Sequence, residues 1–247
     1  MRDEANAEFY NSDSTTYDNT RWVSKAGVYT ANVQQRIVEE LTAKWQDSEI
    51  LEVGPGTARF TIPMARKKNR MTLVDISSGM LNIAQSNLAK EGLAACVSEA
   101  VQGSVYELPL ADSRFDYATC LNVLSHLEDT AAALKELSRV VKPGGKLLIN
   151  YPNLESFYWP AARRINARSE AFGQKVFSVW ERPGNVLKRL DAAGLLMLTR
   201  RGHAHVPRAL ERFHLLPIIR GLDLISRRGL LSRLAPVHFC LCQKTGY

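Results

Sequence analysis

The stretch "EILEVGPGTARF", residues 49–60, constrains this chain more than any other. A short apolar strand runs into two glycines one residue apart, and basic residues and a new helix follow. Glycine is the residue of choice where a chain must turn tightly, because it carries no Cβ. The same rhythm repeats downstream. "MTLVDIS" reads as a second strand and "SGMLNIAQSNLAKEG" as a helix, with Ser77 or Ser78 as N-cap and Gly92 past its end. "ACVSEAVQG" and "RFDYATCLNVL" read as a third and a fourth strand. "EDTAAALKELSRVV" is a helix that "KPGG" stops, and "KLLINYP" is a fifth strand. Strand and helix in alternation predict a parallel sheet with helices on both faces.

The flanks follow other rules. Residues 1–47 predict a partly ordered arm with aromatics, then a helix with apolar positions Val33, Ile37, Val38 and Leu41. Residues 48–152 hold the alternating core. Residues 153–182 form an irregular aromatic and basic insertion that could act as a lid. Residues 183–247 add a helix and two strands, with a second basic insertion at 205–235. The expectation is one domain overall.

Charge is divided unevenly. The net charge of +7 conceals 16 Lys and Arg against 19 Asp and Glu in residues 1–150, and 16 against 6 in the remainder. A basic C-terminal third attracts anionic partners: phosphorylated compounds, acidic membrane surface or nucleic acid. The polar N-terminus does not read as a signal peptide, and no apolar run reaches membrane-spanning length. Cys96, Cys120, Cys240 and Cys242 have no C-x-x-C spacing, so they read as buried thiols and no metal site is expected. The expected location is the cytoplasm, with a peripheral membrane position as the alternative.

Which ligand sits on the glycine turn is decided by context. A dinucleotide fingerprint needs a third glycine where Arg59 stands, and no Gly-Lys-Ser/Thr follows for a phosphate loop. "LEVGPGTARF", "LVDIS" with "SGML", "LPLADSRFDYATCLNVLSHLED" and "LKELSRVVKPGGKLLIN" together resemble the ordered motifs of class I S-adenosylmethionine-dependent methyltransferases. The resemblance covers roughly residues 48–150 and is strongest to the small-molecule branch with quinone-biosynthesis and sugar-type enzymes. It implies a doubly wound, mostly parallel seven-stranded α/β sheet, Rossmann-like, with the last strand antiparallel. It also implies S-adenosyl-L-methionine as cofactor.

Residue by residue, Glu52, Gly54 and Gly56 match the first motif, and Ala58 replaces its third glycine. Asp75, at the end of the second strand, is placed to accept from both ribose hydroxyls. Ile76 and Met80 are placed to pack on the adenine, and Asn122 to face the methionine end. The family often has an acidic residue at the adenine edge where this chain has Ser104, so Ser104 and the Val105 backbone are candidates there. Glu52 would face the cofactor's ammonium group or orient the loop.

For the acceptor, His126 is the candidate general base, and Tyr17 and Trp22 could close over the cofactor. Tyr151, Tyr158 and Trp159 could wall an apolar pocket, with Arg163, Arg164 and Arg168 meeting an anion. His203 and His205 have weaker claims. Three functions follow in order: O-methylation of a small molecule, neutral or anionic, in secondary-metabolite or sugar biosynthesis; methylation of a prenylated or lipid-linked acceptor at a membrane surface; and a non-catalytic or RNA-binding member. Residues 208–235, with six Arg among Leu and Ile, motivate the second. Nucleic acid ranks last because no RNA-binding module is recognised.

Overall fold

In the computed structural model the described residues are 2–14, 16–18, 22–156, 159–160, 179–203, 221 and 230–246. The order of main elements is α1 (Arg2–Asp13), α2 (Lys25–Leu41), β1 (Glu49–Val53), α3 (Thr61–Ala65), β2 (Arg70–Asp75), α4 (Ser78–Lys90), β3 (Val97–Gln102) and β4 (Phe115–Cys120). It continues with α5 (Thr130–Val140), β5 (Val141–Pro152), α6 (Pro183–Ala192), β6 (Leu195–His203) and β7 (Val237–Lys244). The strands form one seven-stranded sheet in the order β3-β2-β1-β4-β5-β7-β6. Strands β1 to β5 pair in parallel, and β7 is antiparallel to both β5 and β6. The sheet expected from the resemblance is therefore the sheet observed.

Both faces of the sheet are buried, which is why its central strands read as near-continuous apolar runs. Ile50 on β1 packs with Val33, Ile37 and Val38 of α2, and Leu51 and Val53 face the opposite cluster with Leu134 and Leu137 of α5. Helix starts follow local chemistry. Ser24 Oγ accepts from Gly27 N at 3.0 Å, Ser77 Oγ accepts from Met80 N at 3.1 Å, and Asp129 accepts from Ala131 N and Ala132 N. Of the two serines read as candidates, Ser77 is the cap.

Two regions differ from the sequence reading. The first residues are helical: α1 runs from Arg2 to Asp13 where an arm was expected. The "KPGG" segment does follow the end of α5, but it lies within β5 as an irregularity in the pairing with β4. A Cβ on Gly145 would come within 2.7 Å of the Asp116 carbonyl oxygen, so only glycine lets the strands approach there.

Candidate functional site

Strands β1, β2, β3 and β4 all point their carboxyl ends at one edge of the sheet, where doubly wound folds bind ligands. A cleft of about 920 Å³, open mouth included, lies there. Its floor is made of the residues that leave the strands: Gly54 to Thr57 after β1, Asp75 and Ile76 at the end of β2, Gly103 to Val105 after β3, and Leu121 to Val123 after β4.

The first turn shows why its residues are small. Gly54 has φ +73°, and a Cβ there would meet Val123 Cγ2 at 2.3 Å. Gly56 has φ +56° with no atom within 4 Å of where a Cβ would stand. One glycine is required by packing, and the other leaves the cleft clear. Ala58, in the place of the family's third glycine, also has positive φ, at 67°, and is buried. The left-handed conformation costs a residue with a Cβ on the order of 1 kcal/mol, so this departure is tolerated under strain.

Asp75 lines the cleft from β2 and is largely buried. Its Oδ1 accepts from Ser77 N at 2.9 Å, which fixes the carboxylate. Burial raises its pKa to about 6, against the pull of the Ser77, Gly56 and Ile76 backbone N–H groups. Glu52 behaves differently. It does not line the cleft but lies beneath the turn with only 1% exposure. Its Oε2 has no hydrogen-bond partner, and burial raises its pKa to about 7, against the Thr61 hydroxyl and Arg59. Of the two expected roles, orienting the loop suits this position.

Arg59, which the dinucleotide test singled out only as an obstacle, lines the cleft. Its guanidinium donates to Gln34 Oε1 at 2.8 Å and to the Ala31 carbonyl at 3.2 Å. It lies over the Phe60 and Trp22 rings at 4.0 and 4.5 Å from their centroids. Burial lowers its pKa to about 10, but it remains a cation at neutral pH.

Asn122 follows β4 with φ 59°, the left-handed conformation that Asn tolerates. It is pinned by Asn150 of β5: Asn122 N donates to Asn150 Oδ1 at 2.6 Å, and Asn150 Nδ2 donates to Asn122 Oδ1 at 2.8 Å. Nothing in the sequence pointed to Asn150, which reads as one more polar position in a strand.

The walls come partly from the N-terminus. Asp3, Asn6 and Tyr10 of α1 line the cleft together with Tyr17, Trp22 and His126. Tyr10 stands edge-on to His126, with ring centroids 6.0 Å apart, and 6.4 Å from Tyr17. Asn6 Nδ2 donates to the His126 carbonyl at 3.4 Å, and Thr57 Oγ1 donates to Asp18 Oδ1 at 2.9 Å. Of the expected residues, Gly54, Gly56, Asp75, Ile76, Met80, Ser104, Val105, Asn122, His126, Tyr17 and Trp22 meet around one cleft.

Tyr151 does not join them. It is buried in the sheet, its hydroxyl 3.1 Å from His238 Nδ1, because β7 pairs antiparallel beside it and brings that imidazole across. Burial lowers the His238 pKa to about 4 and raises that of Tyr151. Trp159 packs on Trp180 at 5.2 Å and is not a cleft residue. His203 is buried at the end of β6, away from the cleft. Tyr158, Arg163, Arg164, Arg168 and His205 lie outside the described residues, as does most of 205–235. Among the described residues no helix is long and apolar enough to cross a membrane.

Residues 51–149 match the family model described as a methyltransferase domain. This stretch is similar to methyltransferase domains. The matched span starts inside β1 and ends inside β5, so it contains the glycine turn, Asp75 and the β4 end of the cleft. A curated relative, the ubiquinone/menaquinone biosynthesis C-methyltransferase UbiE of Vibrio cholerae, is 30% identical over 146 residues, 58% of this chain and 55% of its own length. The chain thus spans about half the length of the curated relatives it matches. Magnesium protoporphyrin IX methyltransferase from Synechocystis PCC 6803, solved with bound SAH, superposes with a TM-score of 0.70 at 13% identity, covering 98% of this chain and 99% of that one. The [4+2]-cyclase SpnF superposes with a TM-score of 0.69 at 18% identity, covering 97% and 94%. The likeness to these two structures is one of fold.

Proposed function

We propose that this protein transfers a methyl group from S-adenosylmethionine to a small aromatic acceptor. The observation that carries the reading is the Asp75 carboxylate, held at the end of β2 beside a glycine turn that keeps the cleft clear. The residues present suit the cofactor. A fixed carboxylate matches the two donors of a ribose diol. Ile76 and Met80 offer apolar walls for a base, and the Arg59 cation suits the cofactor's carboxylate. The sulfonium supplies an already activated methyl group, so the protein's work is positioning and exclusion of water.

For the acceptor, support comes from the other end of the cleft. Tyr10, Tyr17, Trp22 and His126 form an aromatic enclosure there, which favours a flat ring. His126 is the proposed base, taking the proton of a ring hydroxyl and so raising electron density on the ring. The name of the Vibrio relative favours methylation at a ring carbon, in place of the oxygen expected from the sequence. The test is an incubation with deuterated methyl donor and a panel of phenolic and hydroquinone acceptors, followed by mass and NMR analysis of products. A ring-carbon CD3 group lost with His126→Ala supports the reading. Binding of S-adenosylhomocysteine with no methylated product from any acceptor would return the domain to other chemistry.

A further inference from the structure

The β3 end of the cleft contains a carboxylate that the methyltransferase core does not encode. Ser104 Oγ accepts from Tyr106 N at 3.2 Å and donates to Asp3 Oδ2 at 2.6 Å. Its single proton is therefore committed to Asp3, a residue 101 positions away on α1. Asp3 lines the same cleft as Asp75, Ile76, Met80, Gly103, Ser104 and Val105. Helix α1 is fastened beside it: Asn11 Oδ1 accepts from Ser77 Oγ at 2.6 Å and from Gly79 N at 3.0 Å, at the start of α4. This end of the cleft thus holds two carboxylates, one at β2 and one beside β3, with apolar side chains near both.

We infer that Asp3 is the residue that recognises the exocyclic amino group of the cofactor's purine, so that α1 supplies base specificity to the domain beneath it. The inference rests on the proposed use of S-adenosylmethionine. An adenosine has three strong donors at its edges: two ribose hydroxyls and one amino group. Asp75 matches the diol, and a second carboxylate lining the same cleft matches the amino group. A carboxylate accepts and cannot donate, so it favours a 6-amino purine and opposes a 6-oxo purine, whose oxygen would face it. Ser104 acts through Asp3, holding one oxygen and aiming the group.

The test is calorimetry on the full chain with two ligands, S-adenosylhomocysteine and its 6-oxo analogue S-inosylhomocysteine. The wild type is expected to prefer the adenosyl ligand by tenfold or more. Asp3→Ala should reduce that ratio to near one. Asp3→Asn, which keeps the shape and adds an amide donor, should move the ratio at least tenfold toward the inosyl ligand. A merely structural role for Asp3 would weaken both ligands together and leave the ratio alone. An unchanged ratio in both variants, with S-adenosylhomocysteine still bound, overturns the inference and spares the proposed function. Failure of the wild type to bind either ligand overturns both.

Discussion

The glycine turn after β1 and the helix α1 face each other across one cleft, yet they are held by opposite means. The turn is rooted in strands whose residues are fully buried, Ile50 and Leu51 on β1 and Leu73 and Val74 on β2. Helix α1 has no fully buried residue among its described side chains. It is fastened by polar contacts at separate points: Asp3 to Ser104, Asn6 to the His126 carbonyl, and Asn11 to Ser77 and Gly79. Apolar burial gives cooperative stability, whereas half-exposed hydrogen bonds contribute roughly 1 kcal/mol each and open locally. Apolar burial thus carries the sheet and its turn, while α1 is held across the cleft by polar contacts.

The hardest test of that division is in the turn. Gly54→Ala sets a Cβ against Val123 in a left-handed conformation. Loss of about 2–4 kcal/mol is expected, from the conformation and the overpacking together, and urea unfolding reads it. Gly56→Ala, with open space around it, should cost only the conformational part and act mainly on ligand binding. Equal destabilisation by the two would break the assignment of one glycine to packing and the other to the cleft.

Asp75→Ala removes a carboxylate placed for two charge-assisted hydrogen bonds, each worth about 1.5–3 kcal/mol. S-adenosylhomocysteine affinity should fall at least tenfold with the fold retained. An unaltered affinity would return Asp75 to a residue that fixes the start of α4 through Ser77 N.

The core also stores a pH dependence. Burial raises Glu52 from its ordinary 4.5 to about 7 and Asp75 from 3.8 to about 6. Over those windows the folded chain holds protons that the unfolded chain has lost, so stability falls as pH rises. The ligand-free protein should lose on the order of 4 kcal/mol between pH 5 and pH 8 from these two groups. Glu52→Gln should flatten the thermal-melting profile over that range. A wild-type profile that rises with pH, and is unaffected by Glu52→Gln, would refute the buried-carboxyl account.

Smaller effects sharpen the other side of the comparison. Tyr10→Ala on α1 should raise the acceptor's KM severalfold, about 1 kcal/mol, and leave S-adenosylhomocysteine affinity nearly unchanged; steady-state kinetics with calorimetry separate the two. The smallest change is Ala58→Gly. It relieves the left-handed strain at φ 67° but adds freedom to the unfolded chain, so a gain of at most about 1 kcal/mol is expected. A loss there would show that the Ala58 methyl packs too well to be spared.

By itself the sequence determined the parallel sheet, the tight turn and the place of Asp75. Those features are written in neighbouring residues: apolar runs that must be buried, glycines that admit positive φ, and a strand end followed by a helix cap. The flanks were harder to read for the same reason. Helix α1 is so polar that its periodicity carries little signal, and it appeared as an arm. Tyr151 reads as an aromatic on a path to the pocket, but its neighbour His238 arrives only through the antiparallel pairing of β7. Asn150 becomes meaningful only opposite Asn122, and Asp3 only beside Ser104. Contacts between residues 28 or 101 positions apart leave no local pattern. They exist because the sheet order sets which strand ends meet and because α1 docks across them, and only the tertiary structure decides that.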